Sequence, residues 1–518
     1  MPRAVALPDD IQSLKRLVSE HVAALEAAHA LLASRQSEID HLKLQIKQLQ
    51  RMQYGRSSEQ LDAQIAQLEF KLEELESQEA SLPPPPPTLA REKPARRAIP
   101  THLPREAHVH QPASTCTCPS CGGSLRLLGE DSSEMLEYVP EHWKVLRHVR
   151  PKYSCERCEQ IVQAPAPPRP IERGLPGPGL VAHVLVAKYC DHLPLYRQSQ
   201  IYAREGVEIE RSTLAGWVGA ASTLLQPLVD ALGRYVLSAQ KLHADDTPVP
   251  VLSPGNTKTK LGRLWGYVRD DRPSGSTDPP AVLMRYSPDR KGKHPCEHLK
   301  DFGGILQADG YAGFNGLYDR ATNAPIEAAC WAHARRKFFE VFEATSSPIA
   351  EEALRRIAAL YAIETQIRGR SPEERRRVRE ANTEPLLRDL YRWLTMTTSR
   401  LPKKSELAGA IHYSLARWEA LCRFCHDGRI EADNNAVERE LRAVALGRKN
   451  YLFAGADCGG ERAAAIYSLI GSAKLNGIDP EAYLRYVFSR IAEHPINKIE
   501  DLLPWRVAHE LVLNRLAA

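Results

Sequence analysis

Residues 241–252 read KLHADDTPVPVL, and residues 304–315 read GILQADGYAGFN. Each is a short apolar-rich run that leads into an acid, Asp245 in the first and Asp309 in the second. Between them lie GRLWGYVRD (262–270) and AVLMRYSP (281–288), two further runs flanked by Gly, Pro, Asp and Ser. Apolar runs of this length bounded by turn residues predict strands. CEHLKDFG (296–303) predicts a short helix before Asp309, and APIEAACWA (324–332) predicts a last strand after it.

The predicted order is strand-strand-strand-helix-strand-helix-strand, the layout of an RNase H-like α/β core. In that layout the first strand carries one acid, the fourth carries a second near its end, and a late helix carries a third. Glu438 in DNNAVERELRAVALGRKN (433–450) meets the last requirement. About 100 mostly helical residues separate the last strand from Glu438, which predicts a helical insertion at about 345–430.

Carboxylates suit hard divalent cations, which prefer oxygen ligands. Three acids on two strands and a helix can hold two Mg²⁺ or Mn²⁺ ions, the arrangement that drives in-line displacement at phosphorus. Asp245, Asp309 and Glu438 are therefore the candidate catalytic and magnesium-binding residues. Each alone has an ordinary reading as a turn or helix-surface acid. Arg335, Arg336 and Lys337 in CWAHARRKFFE, with Arg439, Arg442, Arg448 and Lys449 around Glu438, are candidate phosphate contacts. Cys330 and His333 have metal-like spacing, but two ligands do not make a site, and a buried cysteine beside an oriented histidine is the simpler reading.

Working outward, Cys118-x2-Cys121 and Cys155-x2-Cys158 are two knuckles 33 residues apart. Four thiolates in two tight turns predict a closed tetrahedral zinc site of structural type. LEYVPEHWKVLRHVRPKY (136–153) can fill the gap with strands, and Cys116 is a possible substitute ligand. Lys144, Arg147, Arg150 and Lys152 suggest a basic surface facing DNA. Cys422-x2-Cys425-His426 matches the spacing of covalent haem attachment. It sits in an amphipathic helical stretch, where cysteines pack as small hydrophobes, and we read it that way.

Residues 14–79 have helical periodicity, with Ile39, Leu42, Ile46 and Leu49 and then Leu61, Ile65, Leu68, Leu72 and Leu75 in heptad-like spacing. The break at RMQYGRSSEQ predicts two helices. They form either an oligomerising coiled coil or an intramolecular hairpin. Pro83 to Pro87 start a polyproline linker. LPLYRQSQIYAREGVEIERSTLAGWVGAA (193–221) reads as a helix, a break at Gly206 and a helix capped by Ser212, a helix-turn-helix-like pattern.

At 518 residues the chain exceeds one ordinary domain. The expected class is multidomain α+β. A coiled coil spans 10–80, a Pro-rich basic linker 81–111 and a zinc-binding module 112–168. A helical DNA-binding segment spans 175–235, the catalytic core with its insertion 240–455, and a C-terminal helical segment 456–518. Residues 1–80 carry 9 Lys/Arg against 13 Asp/Glu, leaving 60 against 51 for the remainder. That imbalance favours a polyanionic partner for the remainder. No run approaches the ~18 apolar residues of a membrane span. Eleven cysteines without an export signal point to reduced thiols, and the expected location is cytoplasmic.

Nearly end to end the chain resembles transposases of the IS66 insertion-sequence family. The resemblance rests on YGRSSEQL (54–61), CPSCGG (118–123) with YSCERC (153–158), and KYCDHLPLYRQSQIYAREGVEIERSTLAGWVG (188–219). It continues through LHADDTPV (242–249), LQADGYAGFN (306–315), CWAHARRKF (330–338), the block from EADNNAVEREL (431–441) to EAYL (481–484), and DLLPW (501–505). It implies a DDE-type transposase whose acids fall on Asp245, Asp309 and Glu438. It also implies DNA ends and target DNA as partners, and small accessory proteins. The family's usual first motif is Asp-Glu-Thr, where this chain has Asp245-Asp246-Thr247, so the role of Asp246 stays open. A catalytically inactive DNA-binding derivative and a nuclease without joining activity are the rival readings.

Overall fold

A computed structural model of the chain describes residues 99–517, apart from 113–116, 140–141, 172–173, 252–258, 403–404 and 448–455. Of the first 98 residues it describes only six isolated positions, three of which, Ile39, Leu42 and Ile46, are helical and buried. The rest of the predicted coiled coil, the polyproline linker, Cys116, Arg448 and Lys449 lie outside the described residues. The fold is mixed α/β with two mixed sheets.

The first sheet is built on a long hairpin. β2 (Leu125–Val139) runs antiparallel to β3 (His142–Cys155), with β1 (Arg105–Val109) parallel to β3 and β4 (Ile161–Gln163) at its far end. These two strands fill the gap between the cysteine knuckles, because Leu125 pairs with Cys155 and brings both knuckles to one end. Acids lie among the residues of the expected basic surface. Lys144 pairs with Glu106 at 2.8 Å, Lys152 with Asp131 at 2.8 Å, and Arg150 lies 3.9 Å from Asp131. Arg147, at odd register, lies on the other face of the pleat.

Glu137 of β2 joins this sheet to the next layer. Its carboxylate accepts the N–H groups of Gly179 (3.1 Å) and Leu180 (2.6 Å) at the start of α1 (Pro178–Tyr189). It therefore satisfies donors that a helix N-terminus leaves open, next to the positive end of the helix dipole. A Cβ on Gly179 would lie 2.4 Å from this carboxylate, so only glycine permits the approach.

After α1 come α2 (Leu195–Arg204) and α3 (Arg211–Leu237), separated by Gly206 at φ +83°. The helix after the break starts two residues earlier than Ser212 predicts, with Glu210 at the cap position and no side-chain cap bond. Trp217, Leu225, Leu228 and Leu232 sink α3 into the main core. Its exposed positions are Thr213, Thr223, Gln226, Asp230 and Arg234.

The second sheet has the order β7-β6-β5-β8-β9. β5 (Lys241–Val251), β6 (Lys260–Arg269) and β7 (Ala281–Ser287) are antiparallel, and β8 (Ile305–Gln307) and β9 (Ile326–Ala328) continue parallel to β5. α4 (Lys293–His298) precedes β8, and α5 (Asn315–Tyr318) lies between β8 and β9. α6 (Trp331–Thr345) leads into α7 (Pro348–Ile367), α8 (Pro372–Val378), α9 (Glu384–Thr398), α10 (Glu406–Ala416) and α11 (Trp418–His426). These helices share a second hydrophobic cluster of their own, including Phe338, Ile357, Leu390, Ile411 and Phe424.

The chain then returns to the sheet as α12 (Asn435–Gly447), followed by α13 (Asp457–Leu475), α14 (Pro480–Phe488) and α15 (Pro504–Ala517). α13 seals the edge strand. Ser472 and Ser468 hydroxyls accept the N–H groups of Val282 (3.0 Å) and Met284 (2.7 Å) on β7. At the opposite edge, the N–H of Ala329 donates to the Ala420 carbonyl of α11 at 3.1 Å.

Candidate active site

The pairing register brings two of the predicted acids side by side. His243 of β5 pairs with Gln307 of β8, so Asp245 and Asp309 each stand two residues further along neighbouring parallel chains. Asp309 lies just past the end of β8, where the loop is held from three sides. The Tyr311 N–H donates to the Asp309 carboxylate at 2.9 Å, the Tyr413 hydroxyl to the Asp309 carbonyl at 2.8 Å, and Arg417 to the Gly310 carbonyl at 2.8 Å. Tyr413 and Arg417 come from the helical insertion, which thereby fixes the second acid.

The third acid comes from α12. Asp245 pairs with Gly266 on β6, and a Cβ at Gly266 would lie 2.9 Å from Val437 and 3.2 Å from Leu441. The bare glycine lets α12 settle directly on the strand beside Asp245, with Glu438 next to Val437. Just before the helix, the buried Asn434 donates to the Ala244 carbonyl at 2.9 Å and places its own carbonyl 3.0 Å from His243 Nδ1. These two bonds lock the start of α12 to the strand.

Electrostatics agree with the geometry. Burial, then the charges of Asp309, Asp246 and Glu438, push the Asp245 carboxyl up to about 7. The neighbouring backbone N–H of Asp246, 2.7 Å from Asp245 Oδ1, only partly offsets this. A buried acid raised by other acids marks a site prepared for a cation.

Asp246 lies elsewhere. Its buried carboxylate accepts two bonds from Arg290, at 2.9 and 3.1 Å, and pairs with Arg263 at 3.0 Å. Arg290 stacks over the Tyr311 ring at 4.0 Å and accepts the Tyr311 hydroxyl on its carbonyl. Asp246 is thus neutralised, and it braces the Asp309 loop through Arg290.

Beside Glu438 the start of α6 contributes a second group. Ligand atoms of Cys330, His333 and Glu438 lie within 4.8 Å of one another. His333 Nδ1 is 3.7 Å from Glu438 Oε1, and Arg336 is 3.8 Å from Oε2. The Cys330 sulfur, pushed up to about 12 by burial, accepts the Asn434 N–H at 3.1 Å. Sequence spacing gave Cys330 and His333 but could not reveal Glu438 as their neighbour. Arg335, Arg336, Lys337, Arg439 and Arg442 are all exposed. Lys337 lies over the Tyr413 ring at 4.8 Å.

At the end of the long hairpin, the four cysteines come together. Sγ–Sγ distances are 3.5 Å for Cys118–Cys158 and 3.4 Å for Cys121–Cys155 and Cys121–Cys158. A tetrahedron with Zn–S bonds of ~2.3 Å has edges of ~3.8 Å, so the set fits one zinc ion. Backbone N–H groups of Cys158 and Arg157 turn toward Cys155 and hold its thiol below the usual range, favouring the thiolate. Gly122 at φ +68° makes the first knuckle's turn. The Cys422/Cys425 pair is different: Cys425 is fully buried in the insertion core, and burial pushes the Cys422 thiol up to about 12.

These features define a transposase-type enzyme with a zinc-binding module, and comparison with known proteins gives the family. Residues 173–462 match the model for the IS66 transposase family and 468–505 its C-terminal element. Residues 115–159 match the zinc-finger binding domain of transposase IS66, and 41–107 match a model described as transposase C of IS166 homeodomain. The chain belongs to the IS66 family of transposases. Among its relatives, the uncharacterized protein y4hP of Sinorhizobium fredii (strain NBRC 101917 / NGR234) is 44% identical over 489 residues, covering 90% of this chain and 88% of the relative. The uncharacterized protein y4qI of the same strain is 37% identical over 526 residues, covering 96% and 97%. No helix among the described residues is long and apolar enough to cross a membrane.

Proposed function

We propose that this chain is a DDE-type DNA transposase that cleaves insertion-sequence DNA at 3′ ends and joins those ends to target DNA. What supports this reading is the strand register that sets Asp245 and Asp309 on neighbouring chains, together with the charges of Asp309 and Glu438 acting on the Asp245 carboxyl. The sheet order β7-β6-β5-β8-β9, three antiparallel strands followed by two parallel ones, supports an RNase H-like core.

Asp245, Asp309 and Glu438 are the all-oxygen donor set that would hold Mg²⁺ or Mn²⁺. Two such ions, when bound, activate the attacking oxygen and stabilise the leaving one. The chain's own groups do the positioning. Tyr413 and Arg417 hold the Asp309 loop, Asn434 and Gly266 seat Glu438, and Arg335, Arg336, Lys337, Arg439 and Arg442 line the approach for phosphates. Water serves as nucleophile for cleavage and the freed 3′-hydroxyl for joining. Both steps are in-line displacements at phosphorus, so one site suffices. The zinc module and the helical segment after it bind the element's ends, the N-terminal heptads pair subunits, and small accessory proteins assist.

The test is cleavage and strand transfer on DNA carrying the element's ends. Asp245→Asn, Asp309→Asn and Glu438→Gln should each lower cleavage about a thousandfold or more, as expected for several kcal/mol of lost charge stabilisation, while binding persists. Cleavage without joining of pre-cut ends supports a nuclease. No cleavage with either Mg²⁺ or Mn²⁺ supports an inactive binder.

A further inference from the structure

The helical insertion carries a feature that the acidic site does not use. Between α9 and α11 lies an open groove of about 860 Å³. Its apolar surface comes from Tyr391, Trp418 and Cys422, and Arg388, Arg392 and Arg423 stand around it. The Tyr391 and Trp418 rings lie 5.1 Å apart at 57°, and Tyr391 is 45% exposed. Trp418 is braced from behind. The buried Trp331 meets it edge-on at 5.7 Å and 89°, and the Trp331 indole N–H donates to the Leu421 carbonyl at 2.9 Å.

The groove is also coupled to the catalytic acids. Trp418 directly follows Arg417, which holds the Gly310 carbonyl, and Tyr413 one turn earlier holds the Asp309 carbonyl. On the other side Trp331 opens the helix whose His333 and Arg336 face Glu438. The two tryptophans in contact thus link the groove wall to elements that hold two of the three acids.

We propose that this groove is a nucleotide-binding subsite, taking an unstacked base of the DNA strand beside the cleavage site against Tyr391 and Trp418, with adjoining phosphates on the arginines. The inference rests on the transposase reading and adds a specific contact to it. Aromatic faces with cationic neighbours form the standard platform for unpaired nucleotides, because every base has a face to stack and every linkage a negative charge. Arg392 and Arg423 already have acid partners, Asp389 at 3.3 Å and Glu419 at 2.7 Å, but both pairs are at the surface, where such pairing is weak and exchangeable. Arg388 has no acid partner among the described residues and is the first candidate for a phosphate. Cys422 is inert lining, since burial raises its thiol to about 12.

The experiment uses the full zinc-loaded chain and fluorescence anisotropy with two labelled probes, a 15-nucleotide deoxythymidine strand and an abasic strand of equal length. Tyr391→Ala removes an exposed ring and should leave the thermal transition in place. It should weaken binding of the thymidine strand about tenfold and leave binding of the abasic strand unchanged. Arg388→Ala should weaken both and reduce the salt-dependence slope by about 0.7, the signature of one lost phosphate contact on a single strand. Equal affinity of Tyr391→Ala and the unmutated chain for the thymidine strand overturns the proposal. If that variant instead changes the oligomeric state, the groove is a protein interface. An unmutated chain that binds neither strand likewise overturns the proposal, whereas the transposase reading fails only if the chain does not cut DNA carrying the element's ends, so the two failures are distinguishable.

Discussion

Asn434 and His243 form a buried lock between the start of α12 and β5: Asn434 Oδ1 lies 3.0 Å from His243 Nδ1, and Asn434 Nδ2 donates to Ala244. Because the amide nitrogen is committed to Ala244, its oxygen is the acceptor, and His243 Nδ1 carries the proton. Burial pushes the His243 imidazole down to about 3, so it is neutral at working pH and can hold that tautomer.

Asn434→Ala breaks both bonds and strands two buried partners. Each unsatisfied group costs about 1–3 kcal/mol, so a combined loss of roughly 2–6 kcal/mol is expected in urea unfolding. Cleavage should fall further than stability alone predicts, since Glu438 sits four residues along the released helix.

Asp245→Asn should stabilise the metal-free protein at neutral and higher pH. Burial and the neighbouring acids lift the folded carboxyl to about 7, against an ordinary value of 3.8. Between these values the folded state holds a proton that the unfolded state has lost, so stability falls as pH rises through that window and is level above it. The span corresponds to about 4 kcal/mol at most. Urea unfolding in EDTA at pH 5 and pH 8 checks this. The wild-type difference should shrink in the variant, and an unchanged difference would sink the charge-cluster argument.

Asp246 should behave unlike its neighbour. Asp246→Asn leaves Arg263 and Arg290 without their buried counter-charge, at a cost of roughly 2–4 kcal/mol once the partial exposure of both arginines is allowed for. Calorimetric titration with Mn²⁺ should show near-normal affinity in this variant and a large loss in Asp245→Asn. Equal losses would contradict the separate roles assigned here.

Cys155→Ser should reduce bound zinc from one ion per chain to none by atomic emission. The other end of the hairpin carries Leu136, Trp143 and Val145 into the main core. Loss of zinc should therefore open the knuckle end to proteolysis while the rest of the chain keeps its thermal transition.

The three antiparallel strands and the acids near them were legible because each strand is an apolar run closed by turn residues. The cysteine knuckles were legible because both ligands of each pair are local in sequence. What escaped depends on contacts between distant segments. Nothing in DNNAVERE reveals that Asn434 reaches Ala244, and nothing in ADDT reveals that two arginines claim Asp246. The surface pairs of Lys144, Arg150 and Lys152 were hidden for the same reason, since Glu106 and Asp131 reach those residues only across paired strands. The helix after Gly206 reads as a recognition helix by pattern, and its apolar face packs on the main core.

The serine hydroxyls of α13 take up N–H groups on the outer side of β7, and at the other flank β9 is three residues long, with the Ala420 carbonyl taking the N–H just past its end. A sheet with an open margin can recruit a strand from a neighbouring molecule, a route to unwanted polymers when many copies crowd along one DNA. Here one flank is covered by a helix and the other is short. Copies that gather on a shared substrate must recognise each other through surfaces outside the sheet, leaving the catalytic scaffold the same whether one chain is present or several.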